Sequence, residues 1–123
     1  MRREIVKTLA GRLGEVLGRE VVVGASTVEA PMVAVYDVGQ ENGYLSNGTR
    51  ESKLSIQVLV VEGSYERTIE TVEKVYRFVD ESPTLSGVCS SLLVESDEIL
   101  LKQEDRRYYG AVVNLTAIYH QEV

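Results

Sequence analysis

The sequence predicts an α+β fold in which two helices pack on one face of a mostly antiparallel sheet that contains a long β-hairpin. Three observations favour this fold. Two segments repeat apolar residues every three or four positions, as amphipathic helices do. The segments between and after them alternate apolar and polar residues, as half-buried strands do. The chain has 123 residues, of which 44% are hydrophobic, and this suits one globular domain over residues 1–123.

The first helix is predicted over residues 2–17. Gly11 and Gly14 interrupt it, and each lowers helix stability by up to about 1 kcal/mol relative to Ala. We therefore expect a helix that leans closely on a neighbouring segment or needs docking to form. Gly18 is well placed to end it in left-handed geometry. The β-branched run at 21–23 predicts a short strand.

A hairpin follows, with strands predicted at residues 32–38 and 53–61. The segment between them, residues 39–51, is polar and contains two Asn-Gly dipeptides that favour turns. It predicts a long loop, and loops of this length are often functional or mobile. We expect either a floppy tip with a local cluster or a docking arm that binds a partner. The contact residues of that arm would be Asn42, Tyr44, Leu45, Asn47 and Arg50.

The second helix is predicted to begin after Ser64, a suitable N-cap with Glu66 in the first turn. It should stop before Pro83. A three-stranded antiparallel meander is predicted next, with turns at Ser96-Asp97 and at the charged run 104–107. Its strands are expected at residues 88–94, 99–103 and 108–120.

The chain carries little catalytic equipment. Its one Cys and one His exclude an internal disulfide and a zinc site of the Cys/His kind. We expect Cys89 to be a buried thiol in a strand and His120 to be a surface residue at a strand end. The acid pairs Asp97-Glu98 and Glu104-Asp105 could serve acid–base chemistry or bind a cation, but they fall in predicted turns. The sequence therefore predicts a protein that is not an enzyme and uses no cofactor or metal.

The formal charge is −6, which argues against a protein that grips nucleic acid by its phosphates. The charge is uneven. Residues 1–19 carry five basic and two acidic residues, whereas residues 62–105 carry four basic and eleven acidic ones. Opposite signs suit head-to-tail contacts between identical subunits, which close into rings or continue as filaments. Two ordinary solvated helix faces would look the same in sequence.

The N-terminus lacks the apolar core of a signal peptide, and the longest apolar runs are far too short to span a bilayer. We expect no membrane partner and a chain that stays in the cytoplasm unless a particle carries it out.

The order of features resembles the tail-terminator and tail-completion proteins of long-tailed bacteriophages, and the resemblance covers most of the chain. Besides the first helix, the polar hairpin tip and the strand at 54–61, it is carried by Ala30-Pro31-Met32-Val33-Ala34-Val35-Tyr36, by Gly63-Ser64-Tyr65, by Leu85-Ser86-Gly87, and by Asp105-Arg106-Arg107-Tyr108-Tyr109 leading into the last strand. No catalytic signature defines the family.

The resemblance implies a structural virion protein that forms a ring, commonly a hexamer, at the head–tail junction. Such a ring would sit on the last ring of the tail-tube protein, stop its polymerisation and join it to the head connector or neck protein. Assembly would take place in the host cytoplasm. DNA would pass through the centre without specific binding, and an acidic lumen would help it slide.

Two other functions remain open at this point. The first is a head-completion or neck protein of the same machine, which would bind the connector but not the tube. The second is a small-molecule-binding or enzymatic α+β domain, which would need a concave pocket with convergent polar groups.

Overall fold

A computed structural model describes residues 1–101 and 109–123 and has the α+β fold that the sequence predicts. Within these residues the strands form one open sheet in the order β1-β2-β3-β5-β4, and β1 and β2 alone run parallel. The predicted turn at residues 104–107 lies outside the described residues. The elements are α1 (Arg2–Leu17), β1 (Val22–Val23), β2 (Met32–Tyr44), β3 (Thr49–Glu62), α2 (Tyr65–Asp80), β4 (Ser91–Leu101) and β5 (Tyr109–Glu122).

Both helices pack on the same face of the sheet, with α1 over β1 and β2 and α2 over β3, β5 and β4. The alternation in β3 and β5 places every second side chain of these strands under the helices. Each fully buried aliphatic side chain contributes about 1.5–3 kcal/mol of transfer free energy. The innermost residues are Ile5, Leu9 and Leu13 of α1, Val75 of α2, and Leu54, Ile56, Val58 and Val60 of β3.

The predicted helices are confirmed at both ends. Helix α1 spans Arg2–Leu17 and ends at Gly18, whose φ of 68° is the left-handed cap expected there. Helix α2 begins after Ser64, whose hydroxyl oxygen accepts a hydrogen bond from the backbone N–H of Arg67 at 3.2 Å. A Ser N-cap of this kind contributes about 1 kcal/mol.

The two glycines of α1, Gly11 and Gly14, have different surroundings. A methyl group on Gly14 would lie 2.9 Å from the backbone oxygen of Arg19, whereas one on Gly11 would meet nothing within 4 Å. The close approach inferred from the sequence therefore exists at Gly14, where the chain folds back towards β1.

These surroundings predict opposite effects for the same substitution. Gly11→Ala should raise the free energy of unfolding by about 0.5–1 kcal/mol. Alanine reduces the backbone entropy of the unfolded chain, and its methyl group meets no neighbouring atom in the folded one. Gly14→Ala should lower it by about 1–3 kcal/mol, because the backbone of Arg19 must move. Chemical denaturation of the two variants checks this, and equal effects at both positions would contradict it.

The predicted loop at residues 39–51 is wrong. Strands β2 and β3 continue through it, with Gln40 opposite Leu54 and Tyr44 opposite Arg50. Strand β5 runs alongside as far as the pair Thr49–Glu122. Because both faces of this part of the sheet are largely solvated, its strands need no apolar alternation, and the sequence therefore looks like a loop.

The predicted meander is also wrong in one respect. Of the residues assigned to two strands and the turn Ser96-Asp97, those of Ser91–Leu101 form a single strand, β4, whose register with β5 shifts between Val94 and Ser96. Residues 88–90 precede this strand, and residues 102 and 103 lie outside the described residues. A bulge absorbs the extra residue without ending the pairing. Exposed acidic residues on an edge strand mimic a turn in sequence, since neither position requires apolar side chains.

A buried carboxylate joins three parts of the fold. Glu62, at the end of β3, accepts a hydrogen bond from Arg19 Nη1 at 2.8 Å and one from Thr71 Oγ1 of α2 at 3.2 Å. Its side chain is 8% exposed, and that of Arg19 is 29% exposed. The cluster fixes the segment after α1 against β3 and α2.

Candidate functional site

The most distinctive surface is the end of the long hairpin, which we call the hairpin arm and define as residues 41–51 with residues 120–122 of β5 beside them. Residues 41–48 are all exposed. The four paired positions of β2 in the arm extend roughly 13 Å at about 3.3 Å per residue. The predicted docking loop is thus replaced by a three-stranded extension of the sheet.

The turn of the hairpin arm is tight. The N–H of Leu45 donates to the carbonyl oxygen of Thr49 at 2.8 Å, and the N–H of Gly48 donates to that of Leu45 at 3.2 Å. Asn47 Oδ1 accepts the N–H of Thr49 at 3.1 Å. Gly48 has a φ of 81°, which suits a residue without Cβ. Of the two predicted Asn-Gly turns, the second is confirmed, and Asn42-Gly43 lies inside β2.

The five predicted contact residues fall into two groups. Asn42 Oδ1 accepts hydrogen bonds from Ser52 Oγ and from Gln40 Nε2, both at 2.8 Å. The other two polar members also make hydrogen bonds within the arm. Arg50 donates to Gln121 Oε1 of β5, and Asn47 accepts the N–H of Thr49 in the turn. These three side chains therefore build the arm.

Tyr44 and Leu45 form the second group. Their exposed fractions are 71% and 45%, so they present the apolar surface at the tip. Exposed aromatic and aliphatic side chains on a hydrogen-bonded frame are typical anchors of protein interfaces. That these residues contact a partner stays a prediction.

The base of the arm is braced against α1. Arg2 donates to both carboxylate oxygens of Asp37, at 2.6 Å and 2.8 Å. Asp37 Oδ1 also accepts the N–H of Gly39 at 3.1 Å, across the β2 bulge. The hydrogen bond from Arg2, followed by that from Gly39, holds the pKa of Asp37 below its usual value against the opposing effect of burial. The pairing also raises the pKa of Arg2.

The lowered pKa of Asp37 gives a signed pH dependence. The carboxylate stabilises the fold above its unfolded pKa of about 4, and the contribution is lost as pH falls through the lower folded value. Asp37→Asn should therefore lower the midpoint of urea unfolding slightly at pH 7. Near pH 2, where the contribution of the carboxylate has largely been lost, the substitution should leave the midpoint almost unchanged. The effect is small because the two side chains are 43% and 31% exposed. A loss that grows on acidification would contradict this.

Three polar side chains that the sequence leaves unconnected meet at the base of the arm. His120 Nδ1 lies 3.0 Å from Ser90 Oγ, and His120 Nε2 lies 3.0 Å from Glu51 Oε2. The types match a Ser–His–acid triad, but the His and Glu side chains are 38% and 36% exposed. Water screens such pairs, and triad catalysis draws most of its power from a desolvated oxyanion site. The two hydrogen bonds link β3, β5 and the residue that precedes β4. The sequence gives no sign of them, because they depend on the register in which the strands pair.

The buried position of Cys89 is confirmed, but the residue precedes β4 instead of lying within a strand. Burial raises the pKa of its thiol, so the unreactive protonated form predominates. His120 lies on the surface near the end of β5, as predicted.

Two hollows have the charged linings of solvated surfaces. One of about 220 Å³ runs along the arm and is lined by Glu41, Asn42, Gly43, Glu51 and Lys53. The other, of about 270 Å³, lies beside Arg19 and Glu62. Ligand pockets are usually lined mainly by apolar side chains. Across residues 1–101 and 109–123, no three His, Cys, Asp or Glu side chains are grouped to hold a metal ion.

The helices of the described ranges are all too short or too polar to cross a membrane.

No protein-family model matches the chain, and no curated protein matches it either. Solved structures do. One is a chain from the structure titled "Virion of native gene transfer agent (GTA) particle", with a TM-score of 0.51 and 9% sequence identity. The alignment covers 89% of this chain and 84% of that one. At this identity the likeness is one of fold.

Proposed function

We propose that this chain is a structural virion protein of a tailed phage or phage-like particle. The fold that it has in common with a chain of a gene transfer agent virion supports this proposal. The hairpin arm fits the same role, because its exposed tip carries Tyr44 and Leu45, and aromatic side chains are enriched at protein interfaces. In this role the chain catalyses no reaction and acts by binding other proteins.

Within this class, we propose the tail terminator. Identical subunits would form a ring, most simply a hexamer, on the last ring of the tail-tube protein and stop its growth. The opposite face would receive the head connector or neck protein. DNA would pass through the ring without being held, which agrees with a net charge of −6. Its location would be the head–tail junction of the virion.

The test uses a tail-tube protein from the same phage or phage-like particle. Preassembled tubes are mixed with the purified protein, and tube ends are examined by negative-stain electron microscopy while tube growth is followed by light scattering. We expect one ring at one end of each tube and growth that stops. A protein that binds the connector but not the tube would instead be a neck protein, and one that binds neither would overturn the proposal.

A further inference from the structure

The sheet ends in two open edges whose surroundings differ in charge. Strand β1 covers β2 only at Ala34 and Val35, so the rest of β2 forms one edge, and β4 forms the other. Open edges are where strands of another chain can approach. Each edge lies beneath one helix, α1 at the β2 side and α2 at the β4 side.

The β4 side carries an acidic flank. Tyr76 of α2 donates a hydrogen bond to Asp97 of β4, which shows the side of α2 that faces β4. With about 100° per residue, Glu66, Glu73 and Asp80 lie on that side of the helix. The acidic flank consists of Glu66, Glu73, Asp80, Glu95 and Asp97, all exposed.

The cations of α2 do not cancel this charge. Arg67 and Lys74 lie on the other side of the helix, beside Arg19 and Glu62. Arg77 is the adjacent exposed cation of the helix. Among the described residues the flank therefore sets five carboxylates against one neighbouring guanidinium, which leaves a strong local negative potential.

The β2 side carries a basic flank on α1. Arg12 reaches Ser86 on the side facing the loop after α2, whereas Gly14 faces Arg19 and Val21 on the side facing β1. Arg3 and Lys7 are in line with Gly14 along the helix. Together with Arg2, which binds Asp37 on the β2 edge, they define the basic flank.

We propose that the acidic flank of one copy docks against the basic flank of a second copy. Copies with a net charge of −6 repel one another, so a contact that pairs opposite flanks is the orientation that this charge distribution favours. The contact is heterologous, because the two surfaces differ, and a repeated heterologous contact closes into a ring when the rotation between neighbouring copies closes and otherwise continues as a filament. This inference rests on the proposed self-assembly and names the surfaces that carry it.

The test reverses each flank separately. The first variant is Glu73→Lys/Asp80→Lys/Glu95→Lys, which spares Asp97 because Tyr76 donates a hydrogen bond to it. The second is Arg3→Glu/Lys7→Glu, which spares Arg2. Both change exposed side chains, so the fold should survive, and circular dichroism checks this. The matched control is Glu15→Lys/Glu20→Lys/Glu29→Lys, which has the same charge change as the first variant and lies off the acidic flank.

Self-association is measured by sedimentation velocity over a concentration series at low and high salt. We expect the unaltered chain and the control to associate, less so at high salt. Each flank variant alone should associate about tenfold to a hundredfold more weakly, from two or three lost pairs. An equimolar mixture of the two flank variants should associate again, because their reversed flanks complement each other.

A monomeric unaltered chain, flank variants that associate normally, or a mixture that stays apart would each overturn the inference. Tube-end binding is scored on the same samples. Rings that form by these flanks but ignore tubes would leave the inference standing and remove the tail-terminator proposal. Tube capping that survives in both flank variants would leave the tail-terminator proposal standing and remove the inference about the flanks.

Discussion

Deletion of residues 41–49 is expected to abolish attachment to tail-tube ends while the chain still unfolds cooperatively. The deletion removes most of the exposed tip, including Tyr44 and Leu45. The remaining residues 50–53 then close a four-residue loop between Gln40 and Leu54, which face each other in the sheet. Loops of this length are common in hairpins.

The fold should tolerate the deletion because no residue of 41–49 is buried, and the cluster of core residues lies beneath the helices. Stability should fall by about 1–2 kcal/mol, from lost hydrogen bonds around Ser52 and at the end of β5. Thermal unfolding followed by circular dichroism measures this, and electron microscopy of tube ends measures attachment.

Two further variants separate the arm's length from its tip chemistry. Tyr44→Ser/Leu45→Ser keeps the strands, and we expect it to weaken attachment nearly as much as the deletion. Val16→Ser removes an apolar side chain of comparable exposure, 54%, from α1 and should have no effect on attachment. Full attachment by the deletion variant would show that the arm is not the contact, and loss of a cooperative melt would show that the arm belongs to the folding unit.

The largest stability loss from a polar substitution is expected for Arg19→Met. It leaves the Glu62 carboxylate, 8% exposed, with Thr71 as its remaining side-chain partner. Removing one partner of a buried ion pair costs about 3–5 kcal/mol, and the partial exposure of Arg19 places this case near about 2–3 kcal/mol. Urea denaturation at pH 7 measures the loss.

A double variant tests the cause. Arg19→Met/Glu62→Leu removes both charges and should be more stable than Arg19→Met alone, because the uncompensated buried carboxylate is gone. A double variant that loses the sum of both single effects would indicate that Arg19 and Glu62 stabilise the chain independently.

The helices and the central strands could be predicted because their burial is local and periodic. Helix α1 repeats Ile5, Leu9 and Leu13 on one face, and β3 repeats apolar residues at every second position. Gly18 marks a helix end because, without a Cβ, it adopts left-handed geometry easily, and Ser64 marks a helix start because its hydroxyl accepts a backbone N–H. In these segments the residues that determine the structure, by periodic burial or by capping, lie within a few positions of one another.

The arm and β4 could not be predicted in the same way. Asn42 and Arg50 look like loop residues because their strands are solvated on both faces. Asn42 is ordered by the ladder between β2 and β3, and Arg50 pairs with Gln121 of β5, about seventy positions away in the chain. The two-strand division of β4 failed for a similar reason, since the bulge near Val94 depends on its partner strand.

By itself, the sequence determined the fold class, the two helices, the hairpin and the uneven distribution of charge. Tertiary structure alone decided that the hairpin ends in an ordered arm, that Ser90, His120 and Glu51 meet, and that the acidic residues of α2 and β4 form one flank opposite the basic residues of α1. The difference is physical. Periodic burial and helix capping act between residues a few positions apart, whereas strand register and surface potential depend on which distant segments the core brings side by side.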